Sequence, residues 1–355
     1  MTKRIITAIH SFAGLIAGIF ILLLSVSGTI LVFHNELDNL QKPVVKKENS
    51  EIISVDSCYT ILQKKYPHTE ISSCELPLKN NPYSFFIYDS LYNNATKAQE
   101  IFIDQYSGAI TGTRGGSDDM RHNFMGWLAK FHNSFHAGKA GEWLLGLTAV
   151  VFVLSISTGI ILYRKSIITV LSFKLSRFNK NNLHQLIGVY ALLFNLLMGI
   201  SGYWMQRYVF KKEFYAVSTW VKTVKPSPSP FFSFDTALGN IKKQYPAFTP
   251  YVIYFAQSTK GSTAVYGSNN TNGFIHSQKF ADVIALDSTG AVAKTRFVYE
   301  NTPADYYDIV NSQLHMGKYG GWFVKLLYGL FGITGAVLSI TGFSLWFKRK
   351  KRNSL

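Results

Sequence analysis

Residues 10–28 read HSFAGLIAGIFILLLSVSG, and residues 184–202 read HQLIGVYALLFNLLMGISG. Both stretches open on a histidine, place a glycine four residues later (Gly14, Gly188) and end on Ser-Gly, at Ser27-Gly28 and Ser201-Gly202. A second pair behaves alike: His132 leads to Thr158-Gly159 and His315 to Thr341-Gly342, over the same interval. A self-match at long period signals a repeated architecture. Four histidines at fixed places relative to four apolar runs imply two histidine pairs, each able to hold a cofactor inside a helix bundle.

The apolar runs span about 11–33, 144–163, 185–205 and 325–347, with Lys325 only at the edge of the fourth. Each has the roughly 20 residues a helix needs to cross a bilayer, and in lipid each must be helical because unpaired backbone groups are too costly there. The first is too long for a signal-peptide core and has no small-residue cleavage site after it, so it reads as a retained anchor.

The net charge of +16 is unevenly distributed. Lys3 and Arg4 precede the first span. Arg164, Lys165, Lys174, Arg177 and Lys180 lie in the 164–184 loop, and Lys348, Arg349, Lys350, Lys351 and Arg352 form the 348–355 tail, with no acidic residue among them. The positive-inside rule puts both termini and that loop in the cytoplasm and sends 34–143 and 206–324 to the other side. This charge speaks for topology and anionic lipid rather than nucleic acid.

The outer segments also repeat. SVDSCYTILQKKYP (54–67) resembles SFDTALGNIKKQYP (233–246), each with a Ser-x-Asp helix start and a Tyr-Pro stop. Alternating apolar and polar residues follow, as in half-buried strands, and then turns at Asp104–Gly108 and Asp287–Gly290. The expected product is an α+β module, helix on antiparallel sheet, present twice (about 53–114 and 233–296). The fold class is thus an α-helical membrane protein with four transmembrane helices in two repeated halves and two extracytoplasmic modules. Cys58 and Cys74 both fall outside the membrane and leave a disulfide open.

At this level of detail the chain resembles the PepSY-associated transmembrane family, whose iron-regulated members reduce ferric siderophores at the inner membrane. The family's histidine at the start of span one is met by His10. Its Leu-His-Arg-Ser-Leu signature is met loosely by Phe131-His132-Asn133-Ser134-Phe135. Its Leu-His before span three is met by Leu183-His184, and its Leu-His-x-Gly by Leu314-His315-Met316-Gly317. Asn133 departs from the family's arginine. The resemblance implies a multi-pass protein of the bacterial inner membrane, facing a ferric siderophore or other iron chelate and fed by a quinol or a cytoplasmic donor.

Given the topology, His10 and His184 share the cytoplasmic end and His132 and His315 the outer end. Two ligands per face suit two haem b groups, each with bis-imidazole axial ligation, with Gly14 and Gly188 giving the macrocycle clearance. A single zinc or copper site built from all four is excluded, because the pairs lie at opposite faces. His136, four residues after His132, could share its helix face. It remains the alternative ligand or a supporting group, since HAGKAGEW (136–143) aligns with HMGKYGGW (315–322), whereas the interval to Thr-Gly and the family pattern select His132. His34 and His122 are open, and His68 and His276 read as solvated. The tryptophans suit an interfacial belt. No Cys-x-x-Cys-His and no Gly-rich dinucleotide fingerprint occurs, so covalent haem attachment and a Rossmann nicotinamide or flavin site are not expected. The leading expectation is a di-haem ferric-siderophore reductase. The alternatives are a membrane b-type cytochrome with another acceptor, or a non-redox PepSY binding, regulatory or transport protein; the absence of a broken-helix pattern speaks against transport.

Overall fold

Lys3–Leu31 forms one helix (α1) because its 29 residues carry no proline and almost no charge. In the computed structural model the described residues are 3–46, 51–78, 80–89, 98–172, 183–211, 225–258, 261–269, 282–300 and 303–353. Lys174, Arg177, Lys180, Trp220 and His276 lie outside them. The chain divides into two compact units: Met1–Phe33, Leu128–Ser218 and Asn311–Leu355 in one, His34–Trp127 and Thr219–Val310 in the other.

The first unit is helical. It contains α1 and most of the helix Phe124–Ser134, here α4, followed by α5 (Gly138–Leu171), α6 (Leu183–Tyr190) and α7 (Leu192–Gln206). The later helices are the end of α9 (Pro303–Met316, in this unit from Asn311), α10 (Gly321–Gly332) and α11 (Thr334–Asn353). Helix α1 packs along α5 and α11, and α5 along α7. Small residues allow close approach, as at Gly199, where an added Cβ would sit 3.0 Å from the Val153 side chain. Phe12, Ile19 and Leu193 point outward and exposed, as lipid-facing residues must.

The third span differs from the straight helix expected over 185–205. Three helical stretches, Lys3–Leu31, Gly138–Lys165 and Gly321–Arg352, are long and apolar enough to cross a membrane by themselves. The remaining span is broken at Ala191 and bends by 67° between its halves, so the count is four only if the bent pair is one span. Neither proline nor glycine occupies the break. Beside it the Asn195 side-chain amide donates to the Ala191 carbonyl (3.0 Å), which also accepts the Asn195 backbone amide (2.8 Å), and to Thr334 Oγ1 on α11 (3.2 Å). The missing broken helix therefore no longer speaks against transport.

The second unit holds α2 (His34–Asn39), α3 (Val55–Lys65), β1 (Thr69–Glu75), β2 (Tyr83–Asp89), β3 (Ala98–Ile103) and β4 (Ile110–Gly115). It also holds α8 (Phe234–Gln244), β5 (Phe248–Tyr254), β6 (Thr263–Asn269), β7 (Asp282–Leu286) and β8 (Val292–Arg296). The two expected modules share one eight-stranded sheet, ordered β4-β3-β2-β1-β5-β6-β7-β8. The seam is antiparallel pairing of β1 with β5, Cys74 opposite Ile253. One apolar cluster crosses it, joining Tyr59, Leu62 and Phe85 to Phe234, Ile253 and Phe255, so neither module leaves its β1 or β5 edge open.

The helices lock the seam reciprocally. Ser54 and Ser233 cap their own helices, accepting from the Ser57 and Thr236 amides. Asp235 then accepts from the Val55 and Asp56 amides (3.0 and 2.9 Å), while Asp56 accepts from the Phe234 amide (2.8 Å) and the Ser233 hydroxyl (2.6 Å). Each aspartate thus completes the other helix's N-terminus. The turns form as expected: Asp104 accepts from Tyr106 and Ser107, Asp287 from Thr289 and Ala291, with Gly108 and Gly290 at φ 72° and 84°. Cys58 and Cys74 are buried free thiols, and burial pushes Cys58 up to about 12 and Cys74 up as well, so neither is a reactive thiolate.

Candidate cofactor site

The Ser-Gly and Thr-Gly steps that set the sequence repeat are the partners of the histidines. Each of the four repeat segments bears a histidine near its start and a hydroxyl–glycine step further on, and the steps cross over between segments. His132 Nδ1 lies 2.9 Å from Ser27 Oγ, and His315 Nδ1 lies 2.8 Å from Ser201 Oγ. His184 Nδ1 lies 2.9 Å from Thr341 Oγ1. His10 Nδ1 lies 3.2 Å from Thr158 Oγ1 and 2.9 Å from the Ser155 carbonyl.

At His10 the Ser155 carbonyl can only accept, so Nδ1 carries the proton. A hydroxyl has one hydrogen, and each of the four has a carbonyl of its own helix within reach of it. Ser27 donates to the Leu23 carbonyl, Thr158 to Leu154, Ser201 to Leu197 and Thr341 to Val337, over 2.6–2.9 Å. With that hydrogen on the helix the oxygen accepts from the imidazole, so Nδ1 carries the proton and Nε2 keeps a bare lone pair, the tautomer that ligates a metal.

The glycine of each step gives its ring room. A Cβ added at Gly28 would lie 3.0 Å from the His132 ring, and at Gly159 3.3 Å from that of His10. Gly202 and Gly342 stand 3.4 Å from His315 and His184 in the same way. Gly14 and Gly188, expected to clear a macrocycle, line the cavity described below but do not touch the imidazoles. The four hydroxyls were visible in the sequence as a fixed interval; their role as histidine acceptors was not.

His10 and His184 face one another with ring centroids 6.3 Å apart. Two imidazoles on opposite sides of one metal need nearly that: twice a metal–nitrogen distance of roughly 2.0 Å plus twice the ~1.1 Å from nitrogen to ring centre. Both line a cavity of about 1340 Å³, large beside an ordinary ligand cleft. Tyr163 and Trp346, each five residues beyond its Thr of the repeat, line it too. So do the exposed cations Lys3, Arg164, Lys165, Lys348, Arg349 and Arg352, with no carboxylate among the lining residues. Space, ring separation and glycine clearance fit a flat bis-imidazole group there. His132 and His315 are close enough to interact electrostatically and repeat the same hydroxyl and glycine arrangement. Among the described residues no group of three or more His, Cys, Asp or Glu is placed to hold a metal ion.

His136 does not share the helix face of His132. α4 ends at Ser134, and Phe135 and His136 turn away in left-handed backbone, φ 48° and 56°. Its ring lies against Phe131. His122 pairs with Asp119 at the surface (2.8 Å), and His34 sits on α2 near Asp38.

Membrane-length apolar helices joined to a sheet unit define a multi-pass membrane protein with a sheet domain. The chain belongs to the PepSY-associated TM region family, whose family model matches residues 7–349. No curated protein matches it by sequence.

Proposed function

We propose that this protein is a di-haem oxidoreductase of the bacterial inner membrane. In this reading it carries electrons outward, reduces ferric iron held in a siderophore or similar chelate, and so releases ferrous iron. The supporting observation is the fourfold one: each histidine meets a hydroxyl at Nδ1 and a glycine at its ring. His10 and His184 would hold one haem b, and His132 and His315 the second. Bound haem supplies one-electron chemistry that no side chain here offers.

The chain's own residues position and insulate. Ser27, Thr158, Ser201 and Thr341 orient the ligands; the apolar helix faces exclude water; the basic residues at the His10 end set the topology, with both termini cytoplasmic. Electrons enter from a quinol or a cytoplasmic donor. One electron converts a ferric chelate to a ferrous one, and the hard oxygen ligands of the chelate hold ferrous iron less tightly. The acceptor class rests on membership in the family together with the resemblance to its iron-regulated members.

The test is ligand by ligand. His10→Ala and His184→Ala should each lose one of two haems, and His132→Ala and His315→Ala each the other, whereas His136→Ala should keep both. Ferric-chelate reduction, followed with a ferrous-specific chelator, should stop in all four ligand variants. Unchanged haem content in the four variants would remove the reading.

A further inference from the structure

The two histidine pairs are not held equally. His10 Nδ1 meets two acceptors, the Ser155 carbonyl at 2.9 Å and Thr158 Oγ1 at 3.2 Å. His184 does likewise, with Thr341 Oγ1 at 2.9 Å and the Leu338 carbonyl also bonded to it. Ser155 and Leu338 stand three residues before their threonines, at matching places in the repeat. His132 and His315 each meet one acceptor, a serine hydroxyl. Among the described residues neither has a carbonyl partner.

An acceptor at Nδ1 draws the proton away from the ring and makes Nε2 a stronger donor, which favours the oxidised metal. Two acceptors do so more than one. The cations near His10 act oppositely, but they are exposed, and solvent and salt weaken charges that do not touch the group.

We propose that this unequal hydrogen bonding makes the His10–His184 site the lower-potential centre and the His132–His315 site the higher, so that electrons run downhill between them. Thr158, Thr341, Ser27 and Ser201 are then positioning residues that tune potential through the ligands. This rests on the di-haem reading of the same histidines.

The experiment is a spectroscopic redox titration of the full-length purified protein. The wild type should give two waves. His132→Ala, which keeps only the His10–His184 centre, should titrate with the lower wave, and His10→Ala with the upper. Ser27→Ala with Ser201→Ala removes the sole acceptor on each ligand and should move the upper wave upward. Thr158→Val with Thr341→Val leaves the carbonyls in place and should move the lower wave upward by less, and Thr→Ser at both should restore it. A structural role alone would lose haem without moving a wave. A reversed assignment in the single-centre variants, or one unresolved wave, would overturn the proposed order while leaving the di-haem reading intact. A wild type without haem would overturn that reading, and this inference with it.

Discussion

A cluster of buried charges stabilises the sheet unit at the level of single residues. Arg114 donates through Nη1 to Asp38 (2.7 Å) and through Nε to Glu100 (2.5 Å), and Lys42 reaches Asp38 and Glu75 at 3.3 Å. Ser84 donates to the other Glu100 oxygen. Removing one partner strands the rest without water. Arg114→Met should therefore cost about 3–5 kcal/mol, read as an earlier thermal or urea transition; a change within experimental error would mean the charges are solvated. The pH dependence has two parts of opposite sign. Burial would raise the Asp38 carboxyl, but the Arg114 hydrogen bonds and the Lys42 charge outweigh it and hold Asp38 below its usual value. Its stabilisation is present above the unfolded value of about 4 and is lost as pH falls through the lower folded value. Burial, with the Asp56 carboxylate beside it, pushes Asp235 up. That contribution is full below about pH 4 and is lost as pH rises through the raised folded value. Asp235→Asn, which keeps a capping oxygen, should flatten stability above pH 4, while the acid-side loss from Asp38 persists. A pH profile identical to wild type would contradict the assignment.

Among the elements, the sequence showed some things and hid others for physical reasons. The Ser-x-Asp helix starts and the Asp–Gly turns were readable because capping and turn chemistry are local. The exchange of Asp56 and Asp235 between the two helices was not, since each acts on backbone some 180 residues away. Asp56→Ala should cost about 0.5–2 kcal/mol by uncapping α8 rather than its own helix. Unaltered amide-exchange protection at Phe234 would argue against that. The β1–β5 seam was likewise invisible, because strand patterning shows which face is buried but not which edge finds a partner. The break at Ala191 escaped notice because neither proline nor glycine marks it, and Asn195 beside it reads as a lone polar residue in an apolar run. Asn195→Leu should remove the bond to Thr334 and unsettle α6, the short helix carrying His184. The expected result is loss of haem from the His10–His184 site with the other retained; equal loss from both would place the effect elsewhere.

At the scale of the whole molecule, the repeat in the sequence marked the four histidines but not why the intervals recur. The segments exchange partners in two pairs, His10–Thr158 with His132–Ser27 and His184–Thr341 with His315–Ser201, although only His10 and Ser27 share one helix. That reciprocity joins residues 105–157 positions apart, and no linear pattern displays it. It also explains why the glycines in contact with the imidazoles are Gly28, Gly159, Gly202 and Gly342 rather than Gly14 and Gly188. The proposed function stands on four histidines holding two haems. The most direct measurement is a reduced-minus-oxidised absorbance spectrum of the detergent-purified full-length chain, with haem quantified per polypeptide. The account predicts b-type α and Soret bands at about two haems per chain. A chain purified from haem-replete cells without those bands would contradict it and return the four histidines to packing and hydrogen bonding alone.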